Sequence, residues 1–327
     1  MDEKRIIVTG IGGNVGQGVI RNIRATHFNI KVIGTNVEDF SAGNHLCDVF
    51  YKVPFAYDEA AYIASIKDIV VKEHIDLILP TTDFEIFYLS KHQNEISCEI
   101  AVSENKTAAY YLDKYTTFLH LKKHDIPFAN SFLPSEYNNE YSSFILKPRQ
   151  GRGSRGLQIN PKDYKTFSDD EYMIQELHEG VEITTAFYVN KSNELHGFIT
   201  FERSLENGTT THCKVVSVYD SALKKILLDI IKVSHIKGSA NLQAIVTKTG
   251  KIEPFEINCR ISGTNSIRAN FGFKDVTYTL EEWLFNQTPS QPIIEKGIAT
   301  RILMDVIYKN TNDFKEAKDN SATHYIY

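Results

Sequence analysis

Three groups of side chains between residues 144 and 260 have the types and spacing to handle a phosphorylated ligand. The first is Phe144-Ile-Leu-Lys147-Pro-Arg-Gln-Gly151-Arg-Gly153-Ser154-Arg-Gly156. It puts a lysine at the end of an apolar strand and follows it with a loop of three glycines and a serine. Backbone N–H groups in such a loop can fold over phosphate oxygens while Lys147 supplies a point charge. A lysine inside an apolar strand is costly to bury, so a casual surface lysine on a hairpin turn is the weaker reading. The order G-x-x-x-x-G-K is absent, so this is not a P-loop.

The second group is Met173-Ile-Gln175-Glu176-Leu177-His-Glu-Gly180-Val-Glu182. A strand that ends in polar atoms can offer its backbone to an adenine edge, and a carboxylate a few residues on can reach ribose hydroxyls. Gln175, Glu176 and Leu177 are the candidate hinge, and Glu182 is the candidate ribose acid. The third group is Gln243 followed by Glu253-Pro-Phe-Glu256-Ile-Asn258-Cys-Arg260. Glu256, Asn258 and Arg260 alternate along a strand and so project from one face. Oxygen ligands on one face suit magnesium, and an arginine beside them can stabilise charge on a transferring phosphoryl group. A polar edge strand would explain the alternation, but not this trio following a lysine-glycine loop.

A rival site stands at the N-terminus. Thr9-Gly-Ile-Gly-Gly-Asn-Val-Gly16 fits T-G-x-x-G-x-x-G, a phosphate turn of dinucleotide-binding folds. Tyr110 and Lys114 add the Y-x-x-x-K spacing of short-chain dehydrogenases and epimerases, so an NAD(P)-dependent enzyme is the alternative reading. Against it, the second strand ends Gly34-Thr35-Asn36, where an NAD site places a carboxylate for the ribose. A tight strand-to-helix turn needs glycines for packing with or without a ligand. Asp83 and Glu85, after Leu79-Pro80, fall where a strand of such a sheet ends; they read equally as rim residues and as helix-start acids.

Taken together, the three groups resemble the ATP-grasp superfamily over nearly the whole chain. Gln243 with Glu256, Asn258 and Arg260 is particularly similar to the carbamoyl-phosphate-synthetase large-subunit branch, in a single unit rather than paired halves. The resemblance implies an ATP-dependent carboxylate–amine ligase that forms an amide through an acyl phosphate and releases ADP and phosphate. It implies that Lys114 and Lys147 contact the ATP phosphates and that Gly151, Gly153, Ser154 and Gly156 close over them. Gln175 to Leu177 and Glu182 would hold adenosine. Glu256 and Asn258, with Gln243 beside them, would hold Mg2+ or Mn2+, and Arg260 and Arg268 would face the transferred phosphoryl group. Many amide ligases of the superfamily have an acid where Gln243 stands, which shifts the metal toward Glu256 and ATP. A nucleotide-binding regulatory protein without catalysis is a second alternative; the Glu256, Asn258 and Arg260 set speaks against it.

These residues need a scaffold, and the hydrophobic periodicity supplies one. Strand patterns at 5–10, 30–34 and 75–79 alternate with helix patterns at 15–23, 58–72 and 83–95, which predicts an α/β parallel sheet of Rossmann-like kind. Helices are expected at 105–112 and 115–124. Short strands from residue 144 onward, punctuated by Lys191-Ser192-Asn193 and Gly208, suggest an antiparallel α+β half. The resulting division is a pre-ATP-grasp domain at 1–104, a central lid subdomain at 105–176 and a C-terminal subdomain with the metal site at 177–327.

Composition bounds the rest. Hydrophobic residues at 42% and charged residues at 24% suit a globular protein with a proper core. A net charge of −5 provides no basic stripe for nucleic acid; the partners that the resemblance implies are small-molecule carboxylate and amine substrates. The cysteines at 47, 98, 213 and 259 are widely spaced and form no zinc pattern, which points to reduced thiols in the cytoplasm. His120 and His124 share a helical face without a third ligand. No apolar run approaches a membrane span and no signal segment opens the chain. A homodimer is the base-rate expectation for oligomeric state.

Overall fold

Along β1 (Lys4–Val8) Ile6 and Val8 face one way and Ile7 the other, and all three are fully buried. A strand apolar on both faces must be covered on both. In the computed structural model, which describes residues 2–327 apart from Arg152, Ser154 and Asn207, β1 is the centre of a five-stranded parallel sheet. Its neighbours are β2 (Ile30–Asn36), β3 (Val49–Lys52), β4 (Leu77–Leu79) and β5 (Glu99–Ile100), in the order β3-β2-β1-β4-β5. Helix α1 (Asn14–Arg24) lies on the face of Ile6 and Val8, whereas α2 (Glu59–Glu73) and α3 (Asp83–Lys91) lie on the face of Ile7. The order reverses at β1, so a crevice opens where β1 and β4 end, beside the glycine turn and Asp83.

The glycines of that turn are there for close approach. Gly10 has φ of +57°, and a Cβ on Gly16 would lie 2.7 Å from the Gly10 carbonyl oxygen. Packing therefore accounts for Gly10 and Gly16 without a dinucleotide, whereas Gly13, where a Cβ would meet only the Gly10 carbonyl oxygen at 3.5 Å, lines the cleft.

Helices α4 (Asn105–Leu112) and α5 (Lys114–Lys123) follow. A small sheet comes next: β6 (Ser131–Phe132), β7 (Phe144–Pro148), β8 (Gln158–Ile159) and β9 (Tyr172–Glu176), ordered β6-β9-β7-β8 around Tyr137, Phe144, Leu146, Tyr164 and Ile174. The largest sheet is antiparallel. It contains β10 (Gly180–Val189), β11 (Leu195–Glu206), β12 (Thr209–Val216), β13 (Gly238–Thr247), β14 (Ile252–Asn258) and β15 (Ile298–Thr300), ordered β14-β13-β10-β11-β12-β15. Helix α6 (Asp220–Ser234) covers it with Leu223, Leu227, Ile230 and Ile231.

Packing moves one expected boundary. Tyr111, Phe118 and Leu121 of α4 and α5 share a core with α6 and the six-stranded sheet, not with the small one. The lid unit proper is therefore about the β6–β9 sheet, and α4 and α5 belong with the C-terminal core. The chain then returns to its beginning. Helix α7 (Asn265–Arg268) and helix α8 (Asp275–Thr279), continued by the turn Leu280–Leu284, set Val276, Leu280 and Trp283 against Ile6, Val8 and Ile20. Residues at the ends of the parallel sheet and residues of the antiparallel sheet thereby line one cleft.

Candidate active site

Lys147 sits near the end of β7 and is only 7% exposed. Its Nζ donates to Gln175 Oε1 at 2.7 Å and to the Phe255 carbonyl at 3.4 Å. Gln175 in turn donates to Ser131 Oγ at 3.3 Å, so the glutamine side chain positions the lysine. Burial pushes the Lys147 ammonium down to about 8, with Glu256 opposing the shift and Lys114 adding to it. Lys114 opens α5, whose N-cap Asp113 accepts from the N–H groups of Tyr115 and Thr116 at 2.9 and 3.0 Å and pairs with Arg149 at 2.8 Å. The Lys114 backbone N–H donates to the Arg149 carbonyl, and its Nζ to the Gly151 carbonyl at 3.0 Å. The start of α5 is thus tied to the root of the glycine loop.

Glu256 is the counter-charge. Burial alone would raise its carboxyl pKa, but Lys114, Lys147, the Asn258 amide and Arg260 together hold it below the ordinary carboxylate range. Asn258 Nδ2 donates to Glu256 Oε1 at 3.0 Å, and Arg260 Nη2 donates to Asn258 Oδ1 at 2.6 Å. Arg260 also grips Asp83 of the N-terminal domain with Nε and Nη2, both at 2.9 Å. The expected alternation is therefore a physical chain of carboxylate, amide, guanidinium and carboxylate that crosses from β14 to the start of α3. These groups line a cleft of about 440 Å³ together with the glycine turn, Arg155, Arg203, Asn241 and Gln243.

The glycine loop lies over that cleft. Gly153 and Gly156 have φ of +67° and +72°, a region that favours glycine. A Cβ on Gly208 would fall 2.7 Å from Gly153, so the loop rests against the turn between β11 and β12. Ser154 lies outside the described residues.

Four of the expected site residues make contacts within the protein that the amino-acid pattern did not show. Arg268 does not face the cleft: it is fully buried, its Nε and Nη2 bond Asp275 at 3.0 and 2.5 Å, and its Nη1 bonds Ser262 Oγ and Thr264 Oγ1. It positions Ser262 and Thr264, which do line the cleft. Gln243 lines the cleft, and its Oε1 accepts from Arg203. Glu182 Oε1 accepts from the same Arg203 at 2.7 Å, so the candidate ribose acid carries a guanidinium. At the hinge, the N–H groups of Glu176 and Leu177 donate to the Asn130 and Ser143 carbonyls, and the Gln175 side chain serves Lys147.

Arg203 is the main residue missed. It lies on β11 beside β10, and a cation opposite Glu182 was the available signal, hidden because strand register is not local. Tyr110 and Lys114 do not form a dyad. Tyr110 stacks on His120 at 4.0 Å, whereas Lys114 reaches the glycine loop. Cys259 is buried against Ser103 Oγ at 3.1 Å, its thiol pushed up to about 11 by burial, as a packing cysteine should be. All four cysteines are unpaired.

The donor set fits ATP with magnesium in a particular way. Among the described residues no three His, Cys, Asp or Glu side chains converge as a metal cage. One carboxylate with a neighbouring amide, flanked by cations, instead suits an ion held largely by nucleotide phosphates.

The pH dependence follows from Lys147. Below about 8 it is charged in both the folded and unfolded chain, and folding bears the cost of burying it. Between 8 and its ordinary 10.5 the unfolded chain binds more protons, so this group's contribution to stability rises with pH. Phosphate binding runs the other way because it needs the ammonium. Mg-ADP affinity is expected to fall as pH rises from about 7 to about 9, and Lys147→Met to bind weakly at every pH. Calorimetric titration across that range checks this; a wild-type affinity constant with pH removes Lys147 as a phosphate contact.

Residues 6–102 match the PylC-like, N-terminal domain family, and residues 111–264 match the ATP-grasp domain family. A search of the curated proteins with this sequence finds no match. Among solved structures, N5-carboxyaminoimidazole synthetase from Staphylococcus aureus complexed with ADP has a TM-score of 0.75 at 14% identity, covering 92% of this chain and 82% of that one. L-amino acid ligase from Bacillus licheniformis follows with 0.70 at 13%, over 88% and 75%. Biotin carboxylase from Campylobacter jejuni has 0.69 at 14%, over 95% and 77%. At these identities the likeness shows the fold, and the fold is ATP-grasp with a parallel-sheet domain in front.

Proposed function

We propose that this chain, an ATP-grasp domain behind a PylC-like N-terminal domain, is an ATP-dependent ligase joining a carboxylate to an amine. The observation that carries the reading is Glu256 set among Lys114, Lys147, Asn258 and Arg260 under a glycine loop. Relatives in fold that are named as an amino acid ligase and as an ADP-bound synthetase support it. The affinity of Glu256, Asn258 and Arg260 to the carbamoyl-phosphate-synthetase branch belongs to this reading, as does a cytoplasmic setting. Among the described residues no helix is long and apolar enough to cross a membrane.

In the proposed reaction a carboxylate oxygen attacks the γ-phosphorus of ATP; the bond to the β–γ bridging oxygen breaks and ADP leaves. The amine nitrogen then attacks the acyl carbon, phosphate departs with the C–O bond pair, and the nitrogen loses a proton to give the amide. Lys114 and Lys147 bind and orient the phosphates. The residues that would hold Mg2+ are Glu256 and Asn258, and the ion would neutralise phosphate charge. Arg260 and Arg203 line the cleft where a carboxylate and a departing phosphate would lie. The loop from Gly151 to Gly156 excludes water, which would otherwise hydrolyse the acyl phosphate. Catalysis is positioning and charge neutralisation, with no protein nucleophile.

Thermal unfolding with Mg-ADP, Mg-ATP, NAD and NADP tests the reading. A ligand at about 100 times its Kd adds about 2.7 kcal/mol to the folded state. Stabilisation by the adenine nucleotides, lost on chelation of magnesium, is expected. Stabilisation by NAD or NADP alone would overturn the ligase in favour of a dinucleotide enzyme.

A further inference from the structure

The nucleotide chemistry leaves unused a second cavity of about 220 Å³ in the wall of the main cleft. Gly10, Asn36, Thr82 and Asp83 line both spaces, and Gly151 of the lid borders the smaller one. Its apolar side is Phe55, Ala56, Tyr57 and Phe84. Phe55 and Tyr57 stack nearly parallel, with centroids 5.1 Å apart and 9° between planes, yet they are 48% and 65% exposed.

That exposure is not loose packing. Val53 and Ala56 anchor the same segment in the core at 2% and 8% exposure, and the Asp58 N–H closes a turn onto the Phe55 carbonyl at 2.9 Å. The chain holds two aromatic rings at the mouth of a cavity that opens onto the active cleft. The charges of the two spaces are complementary. The main cleft sets Arg155, Arg203 and Arg260 against Asp83 and Glu256 and so carries an excess of cations, whereas the charged side chains of the smaller cavity are Asp83 and Glu85, with no Lys, Arg or His among its described lining residues. A carboxylate suits the first and an ammonium the second.

We infer that this cavity receives the amine substrate, and that the amine carries a planar apolar body resting on Phe55 and Tyr57 with its nitrogen toward Asp83. The inference rests on the ligase reading and names the class of one of its substrates. Asp83 places the nitrogen at the boundary with the cleft: Arg260 holds both of its carboxylate oxygens at 2.9 Å, and each oxygen keeps a second lone pair for an ammonium. The aromatic rings set specificity without touching the reacting atoms.

Calorimetric titration at saturating Mg-ADP tests it with three probes: 2-phenylethylamine, n-butylamine and 3-phenylpropionate. The first is expected to bind about tenfold more tightly than either of the others. Phe55→Ala and Tyr57→Ala should each cost it about tenfold while leaving Mg-ADP affinity within about twofold, and because both rings are largely exposed, retained Mg-ADP binding also confirms the fold. Preference for 3-phenylpropionate, equal binding of n-butylamine, no binding of 2-phenylethylamine, or unaltered affinity in the variants would overturn the inference and leave the ligase standing. Failure of wild-type protein to bind Mg-ADP at all would instead remove the ligase reading on which it rests.

Discussion

Glu256→Gln is expected to lower ADP-forming turnover on the order of 10³-fold while leaving the chain folded. Glutamine keeps the shape of the side chain and can still meet the Asn258 amide. It removes the negative charge that lies among Lys114, Lys147 and Arg260. Two things follow. The candidate magnesium site loses its carboxylate, and Lys147 loses the group that opposes its depressed pKa, so more of it is neutral near pH 8. Mg-ADP should then stabilise the variant less than wild type. The acid limb of stability should change as well. A carboxyl with a lowered folded pKa contributes stability that is present above its ordinary value of 4.5 and is lost as pH falls through the folded value. In the variant that contribution is missing at every pH, so its acid unfolding should be less steep. Steady-state ADP release and thermal unfolding between about pH 3 and 7 measure both effects. Turnover within a few-fold of wild type would remove Glu256 from the chemistry.

The second large effect is on stability. Arg268 and Asp275 form an ion pair in which both side chains are 0% exposed. Arg268→Ala strands Asp275 without its cation and is expected to cost about 3–5 kcal/mol, a large fraction of the roughly 5–15 kcal/mol that folded domains possess. The loss extends past the pair, because Ser262 and Thr264 hydroxyls each lose a donor and Ser239 also bonds Asp275. Removing both charges with apolar residues of similar size, as in Arg268→Met with Asp275→Leu, should cost less than the single change, since no buried charge is left unpaired. Denaturant midpoints of the three proteins decide it. A single variant within about 0.5 kcal/mol of wild type would mean that the pair is open to water and would restore Arg268 as a candidate for the cleft.

What the amino-acid sequence determined by itself is the chemistry carried by short-range pattern. A period of two put Glu256 and Asn258 on one face of β14; Arg260 lies just past the end of that strand, and hydrogen bonds link the three in order. An apolar strand ending in Lys147 announced a costly lysine, which the structure buries, and the glycines beyond it announced a loop, in which Gly153 and Gly156 have φ above zero. Alternating strand and helix periods over the first hundred residues announced a parallel sheet, because each element must bury its own apolar face.

Only the tertiary structure decided which charge meets which. Arg260 pairs with Asp83 across 177 positions of chain, and Arg203 meets Glu182 and Gln243 through strand register, which no local window contains. Arg268 shows the limit most clearly. The family resemblance implied a second phosphate-facing guanidinium, but Arg268 is fully buried and Asp275 neutralises it. Helices α4 and α5 joined the C-terminal core for the same reason: their apolar faces match α6 and the six-stranded sheet, a fit that shows only once both are folded. Residue type and spacing determine which chemistry is available, whereas burial and pairing are properties of distant segments brought together and so decide which residues are free to perform it.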